Sequence, residues 1–270
     1  MKSSPIFLGC QPRGGTSLLR TILGSHPNIY GGDGFETNWF SEEMQDNWKN
    51  NKSKRQKWLQ EWHEVSDIDL LRIKKESHNG IDFFSNFMFF CTKRENKNRW
   101  IEKTPENLYH LELIFENWPN AKFIHGIRDF KDTYASWKTK NKGSLKELNV
   151  ETFVDRVQSS YQGINHLLGT CNKQYIETKY EELVDDPKNT IARILDFLDE
   201  PLVDGIENYK GNSDEYRKVK EIIKKESSTS MALQKPIFKS SIGRWKTILS
   251  QKEVDIIDSK LGDISRTLGY

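Results

Sequence analysis

The segment that most constrains this chain is Gly9-Cys10-Gln11-Pro12-Arg13-Gly14-Gly15-Thr16-Ser17, set between a short apolar run and a helical pattern. Its G-x-x-x-x-G spacing is that of a phosphate-binding turn, in which glycines let backbone N–H groups curl around an anion. The helix that begins at Thr16 adds the partial positive charge of its N-terminus. A triphosphate-binding loop needs lysine directly after the second glycine, to reach the outer phosphates, and this chain has Gly15 there. The cation sits two positions earlier, at Arg13. The loop therefore suits a terminal anion, with Arg13, Thr16 and Ser17 as donors, and lacks the lysine of an ATPase. A glycine-rich turn can also be purely structural; arginine and a Thr-Ser pair at this place favour anion binding.

Around this loop, short apolar runs alternate with helical patterns, which predicts an α/β fold: three layers with a mostly parallel central sheet. Strands are expected at Pro5 to Gly9, Arg99 to Glu102, Lys122 to Ile127 and Gln174 to Glu177. The helices that follow them are expected at Thr16 to Leu23, Glu106 to Trp118, Phe130 to Lys138 and, after a longer loop, Thr190 to Leu198. From about Phe40 to Asn98 the pattern becomes long, charged and Trp-studded, a helical insertion in one domain spanning residues 1–270. An amphipathic helix over Gln251 to Leu268 closes the chain.

Composition narrows the function classes. Fourteen Phe, 8 Trp and 9 Tyr can fill a core, which excludes bulk disorder. Forty-one basic against 39 acidic residues give a net charge of +2, far from the field of a dedicated nucleic-acid binder, so an anion must be gripped locally. No stretch approaches a membrane span, and the N-terminus lacks a signal-peptide pattern. Cys10, Cys91 and Cys171 are too scattered for a disulfide framework or a Cys-x-x-Cys metal site. His26, His63, His78, His110, His125 and His166 are likewise dispersed, so no metal site is expected. A soluble cytoplasmic protein is the expectation. Lys49, Lys52, Lys54, Arg55 and Lys57, interleaved with Trp48, Trp58 and Trp62, read as a solvated helix with its aromatics turned inward.

A second anchor follows the strand Lys122 to Ile127, at Arg128-Asp129 and, eight residues beyond Arg128, Ser136. Arg128 falls at the carboxyl edge of the sheet, where open α/β folds bind ligands, and Asp129 is a good N-cap. By itself the set also fits a surface Arg–Asp pair with a helix-embedded serine. The whole succession is more informative: Pro-Arg-Gly-Gly-Thr-Ser, then Arg-Asp…Ser, then Lys179-Tyr180-Glu181-Glu182-Leu183-Val184 with Asp186-Pro187, then Gly243-Arg244-Trp245. It resembles the sulfotransferases that use 3′-phosphoadenosine 5′-phosphosulfate (PAPS), closest to the Golgi-type and tyrosylprotein branch and its bacterial relatives.

The resemblance implies roles by position. Arg13, Gly14, Gly15, Thr16 and Ser17 look like the loop for the 5′-phosphosulfate, and Arg128 with Ser136 like the clamp on the 3′-phosphate. Tyr180 looks like a donor toward the nucleotide, while Ser230 and Arg244 resemble the late serine and basic residue that close over it. Lys103, in Glu102-Lys103-Thr104-Pro105, resembles a lysine that polarises the transferring group. Glu36-Thr37, after His26-Pro27, looks like the base-bearing pair, with Asp33 as second choice because its spacing from Pro27 is nearer the family's. Gly14 and Ser17 stand where the usual loop has serine and threonine, which removes a hydroxyl donor at Gly14 but leaves the backbone turn intact.

The implied reaction is in-line sulfuryl transfer from PAPS to a hydroxyl acceptor, without a metal and with a carboxylate base. A saccharide, a peptide tyrosine and a small metabolite all remain open as acceptor, as does the oligomeric state; neither nucleic acid nor a membrane is an expected partner. Two other readings stay open: a P-loop kinase-like phosphotransferase, and a nucleotide-binding module without catalysis.

Overall fold

The computed structural model describes residues 4–45, 48–49, 54–139, 149–169, 172–209, 217–223 and 228–270. Cys171 and Lys52 lie outside the described residues.

Five parallel strands form the centre: β1 (Ile6–Cys10), β2 (Ile29–Tyr30), β3 (Arg99–Lys103), β4 (Lys122–Ile127) and β5 (Tyr175–Lys179), in the order β2-β3-β1-β4-β5. β1 is central, with Leu8 level with Lys103 of β3 on one side and Cys10 level with Gly126 of β4 on the other. Because side chains alternate along a strand, the two faces take different residues. Ile6, Leu8, Ile101, Ile124 and Ile176 join an aliphatic core with Leu19, Ile22 and Leu23 of α1 (Thr16–Gly24). Phe7, Trp100, Phe123 and Tyr175 join an aromatic core on the opposite face.

The aromatic face is covered partly by α2 (Glu42–Gln45), α3 (Lys54–Trp62), α4 (Asp67–Lys75) and α5 (Gly80–Arg94), as the Trp-studded stretch predicts. Trp62 is buried and Trp39 stacks on Phe84 at 4.7 Å, so the aromatics turn inward while Lys54 stays on the surface over Trp58.

Several elements differ from expectation. The two-residue β2 was not anticipated: a run this short carries no periodicity and exists because β3 offers it a pairing edge. Pro105 opens a 3₁₀ turn over Pro105–His110, and only then does α6 (Leu111–Asn117) begin. After β4 come α7 (Phe130–Lys138) and α8 (Val150–Gln162), the latter unanticipated and capped by Asn149. The long loop expected after β5 is instead a helix, α9 (Tyr180–Asp185), which starts directly at the strand's end with Glu181 and Glu182 in its first turn, where acids favour a helix N-terminus. α10 (Pro187–Phe197) follows, with Asp186 as its cap. The final helix, Gln251–Thr267, begins with a full capping box between Ser250 and Glu253. Among the described residues no helix is long and apolar enough to cross a membrane.

Candidate functional site

The carboxyl ends of the adjacent strands β3, β1 and β4 carry Lys103, the glycine-rich loop and Arg128 respectively. Neighbouring strands lie about 4.8 Å apart, so these groups are neighbours by construction.

Beyond β1 the chain folds back through a Gly14 N–H bond to the Gln11 carbonyl at 2.8 Å. Both Arg13 (φ 78°) and Gly15 (φ 88°) take the left-handed conformation, so the backbone around them curls into a concavity. Arginine adopts that conformation only at a cost, and the surroundings must hold it there. Gly15 is the N-cap of α1, gives it no side-chain cap, and no acid follows in the first turn, so the helix end keeps its positive character. A side chain at Gly15 would displace the Tyr180 ring, since its Cβ would fall 2.3 Å from Tyr180 Cδ2. This is the physical reason that the triphosphate lysine has no place here. Thr16 is buried against Cys10, with its hydroxyl 3.2 Å from the thiol. Burial pushes that thiol up to about 11, so it stays protonated.

The two arginine motifs meet. Arg13 donates through Nε to Ser136 Oγ at 3.1 Å and through Nη1 to Thr229 Oγ1 at 2.8 Å. Arg128 donates to the Arg13 carbonyl at 3.3 Å and to the Ser241 carbonyl at 2.6 Å, with its guanidinium 4.6 Å from the centre of the Tyr180 ring. Tyr180 is thus a platform wedged between Gly15 and Arg128, where the sequence suggested a donor. Arg128 is only 8% exposed, and its Nε has no protein partner. Asp132 receives the Gly243 and Trp245 N–H groups at 2.6 and 3.0 Å, which fixes the turn bearing Arg244. Burial lowers the Arg13 pKa, and the charges of Arg128 and Arg244 lower it further against the opposing pull of Glu36. Of the late pair, Arg244 therefore lies within electrostatic reach, whereas the hydroxyl on Arg13 belongs to Thr229, with Ser230 buried one residue on.

Glu36 and Lys103 form the other half of the site. The Lys103 ammonium pairs with the Glu36 carboxylate and also donates to Ser17 Oγ at 3.2 Å, tying the base candidate to the first turn of α1. The lysine side chain is 4% exposed and the glutamate side chain 46%, with the carboxylate end drawn in against the buried cation. Arg55 of α3 donates to the Glu36 carbonyl at 2.7 Å. Burial raises the Glu36 pKa, but Lys103, Arg55 and Arg13 outweigh it and hold the carboxyl below its ordinary value. At neutral pH it is an ionised acceptor for a proton. The nearby aromatics pack into the helical layer, Phe35 against Trp62 at 5.4 Å and Trp39 on Phe84. Asp33 sits in the 3₁₀ turn Gly32–Gly34, and its side chain lies outside the described residues.

Beneath this pair lies a residue to which the sequence reading gave no role. Glu102, buried at 2%, accepts hydrogen bonds from Thr37 N, Thr37 Oγ1, Thr104 Oγ1 and Asn107 Nδ2. Thr229 and Asp132 were likewise given no role, and Arg55 was read only as part of the solvated basic helix. His125 is buried between the Tyr175 and Tyr161 hydroxyls, and burial takes its pKa to about 3, so it is a neutral core residue. Among the described residues no cluster of His, Cys, Asp or Glu is arranged to hold a metal ion.

Known proteins share this arrangement of elements. The family model described as "Sulfotransferase family" matches residues 5–204. A protein-tyrosine sulfotransferase of Drosophila melanogaster is 27% identical over 205 residues, covering 74% of this chain but 39% of its own length. Protein-tyrosine sulfotransferase A of Caenorhabditis elegans is 25% identical, over 100% of this chain and 68% of its own length. Among solved structures, the sulfotransferase domain of the Synechococcus PCC 7002 olefin synthase superposes with a TM-score of 0.62 at 17% identity, covering 95% of each chain. A mouse sulfotransferase complexed with PAP superposes with a TM-score of 0.51 at 16% identity, covering 98% of this chain and 88% of its own. These superpositions concern the fold. With the family match running from β1 past α10, the chain belongs to the sulfotransferase family.

Proposed function

We propose that this protein transfers a sulfuryl group from PAPS to a hydroxyl acceptor, with Glu36 as general base. The observation that carries the reading is the convergence of Lys103 on both Ser17, at the head of the anion loop, and the Glu36 carboxylate. One ammonium touches the place where an anion would sit and the group that would take the acceptor proton.

The residues suit a nucleotide with phosphates at both ends. Arg13, Arg128 and Arg244 are held close enough that each of the last two depresses the first, a repulsion that a polyanion relieves. The buried, unpartnered Arg128 Nε is a further donor in want of an acceptor. The donor would supply the sulfuryl group and a phosphate leaving group. The loop from Gly14 to Ser17 and the α1 N-terminus would hold the 5′ end; Arg128, Ser136 and Arg244 would hold the 3′-phosphate. Arg13 stands between the two. Lys103 offsets charge near the transferring group, and Glu36 accepts the hydroxyl proton at its carboxylate.

A phosphotransferase reading is disfavoured by Tyr180, which occupies the space that a lysine at position 15 would need. The relatives' names make a tyrosine peptide the first acceptor to try, with a saccharide and a small hydroxylated metabolite beside it. The test is a transfer screen with radiolabelled PAPS across these acceptor classes, with calorimetric titration of adenosine 3′,5′-bisphosphate on the same sample. Label transfer together with bisphosphate binding supports the reading. Binding without transfer to any acceptor would make the chain a nucleotide-binding module, and magnesium-dependent ATP turnover would restore the kinase reading.

A further inference from the structure

The Glu36 loop and the end of β3 are joined by paired contacts along their length. Glu36 meets Lys103, Thr37 meets Glu102, and the Asn38 N–H donates to Thr104 Oγ1 at 3.0 Å. Adjacent residues on a strand point to opposite faces, so Lys103 and Glu102 hold opposite sides of the same loop. Glu102 is the deeper anchor. Its Oε1 receives the Thr37 N–H at 3.2 Å, the Thr37 hydroxyl at 2.8 Å and the Thr104 hydroxyl at 2.6 Å. Its Oε2 receives Asn107 Nδ2, and that amide also donates to the Leu8 carbonyl of β1 at 3.0 Å. Each of these partners is a neutral donor, and their pull opposes the burial that raises the Glu102 pKa; the side chain serves as a hub that ties the base-bearing loop to two central strands.

We infer that Glu102 is a positioning residue: acting through Thr37, it sets where the Glu36 carboxylate stands relative to Lys103. The inference rests on the assignment of Glu36 as base. It follows from the contacts: Glu36 is held by Lys103 at its carboxylate and by Arg55 at its carbonyl, while the adjacent Thr37 is fixed from below by the buried Glu102. The charged and titratable groups acting on Glu36 are Lys103 from β3, Arg55 from α3 and Arg13 from the loop, with the Cys10 thiol at the end of β1. Letting the loop drift weakens the contact with Lys103, the strongest of the groups pulling Glu36 down.

The test uses the full chain with Thr37→Val, Thr37→Ser and Glu102→Gln. The Glu36 carboxyl is followed by carbon-13 NMR and assigned by its absence in Glu36→Gln. Thr37→Val is expected to move the Glu36 titration upward and to cut kcat about tenfold to a hundredfold, without changing affinity for adenosine 3′,5′-bisphosphate. Thr37→Ser restores both. In Glu102→Gln the titration also moves upward, whereas loss of a negative charge alone would move it down. In a Glu36→Gln background, Thr37→Val lowers turnover no further. A Glu36 titration unchanged in folded Thr37→Val and Glu102→Gln overturns the inference, as does an equal loss of turnover in the Glu36→Gln background. A fully active Glu36→Gln overturns the base assignment instead, and the NMR arm then still decides whether Glu102 places that carboxylate.

Discussion

The site has two corners built on opposite electrostatic plans. At the junction of β1 and β4, Arg13, Arg128 and Arg244 are gathered around hydroxyls and carbonyls, and each contact to Arg13 or Arg128 is a neutral acceptor. At the end of β3, the buried Lys103 is matched by the Glu36 carboxylate. The first corner is over-charged and mutually repulsive, which suits capture of a polyanion. The second is balanced, which keeps a carboxylate ionised and ready to accept a proton. The two corners meet at Lys103, which also donates to Ser17, and at Arg13, which also acts on Glu36; perturbations away from that seam should separate in experiment.

The largest effect is expected from Glu36→Gln, which should depress turnover about 100- to 10,000-fold while donor affinity, read by calorimetry, stays at the wild-type value. A mutant that turns over normally removes the base from this corner. Next is Arg128→Ala, with an expected loss of about 1.5–3 kcal/mol in affinity for adenosine 3′,5′-bisphosphate. The loss for adenosine 5′-phosphate should be much smaller; equal losses for the two nucleotides would dissolve the assignment of this arginine to the 3′ end. Gly15→Ala tests the seam between loop and platform. The added methyl strikes the Tyr180 ring in a backbone conformation that alanine disfavours, so chemical denaturation should show about 1–3 kcal/mol lost. An undiminished stability would mean that the ring yields freely.

The smallest effect concerns pH. Because the Glu36 carboxyl lies below its ordinary value, it is ionised throughout the neutral range and the base is lost only as pH falls through that lowered value. The acid limb of the turnover profile should lie below the ordinary glutamate range, and Arg55→Gln, which removes one of the cations holding it down, should move the limb upward. A limb that stays in place would exclude Arg55 from the electrostatics of this corner.

What the sequence disclosed follows the range of the interactions. The strand, glycine turn and helix from Ile6 to Gly24 are legible because each signal is local: an apolar run, two glycines, a helical stripe. Glu36, Lys103 and Arg128 were singled out through the family resemblance rather than by a local signal, and the fold brings the first two into contact. The contact of Arg13 with Thr229 spans 216 positions, and nothing around residue 229 announces it. Glu102 was passed over for a related reason. Inside a buried strand a glutamate reads as an exception, and only the fold supplies the donors that make it tolerable. α9 was missed because its six residues are too few to show a stripe.

Tyr180 has a consequence for how such a loop can change over time. The ring fills the volume that a lysine at position 15 would require, and it also supports Arg128 from beneath. Acquiring the triphosphate type of loop would therefore demand simultaneous surrender of the aromatic shelf, and with it the seating of the second anion anchor. The tyrosine thus couples the character of the loop to the seating of a neighbouring arginine, so that the two can change only together.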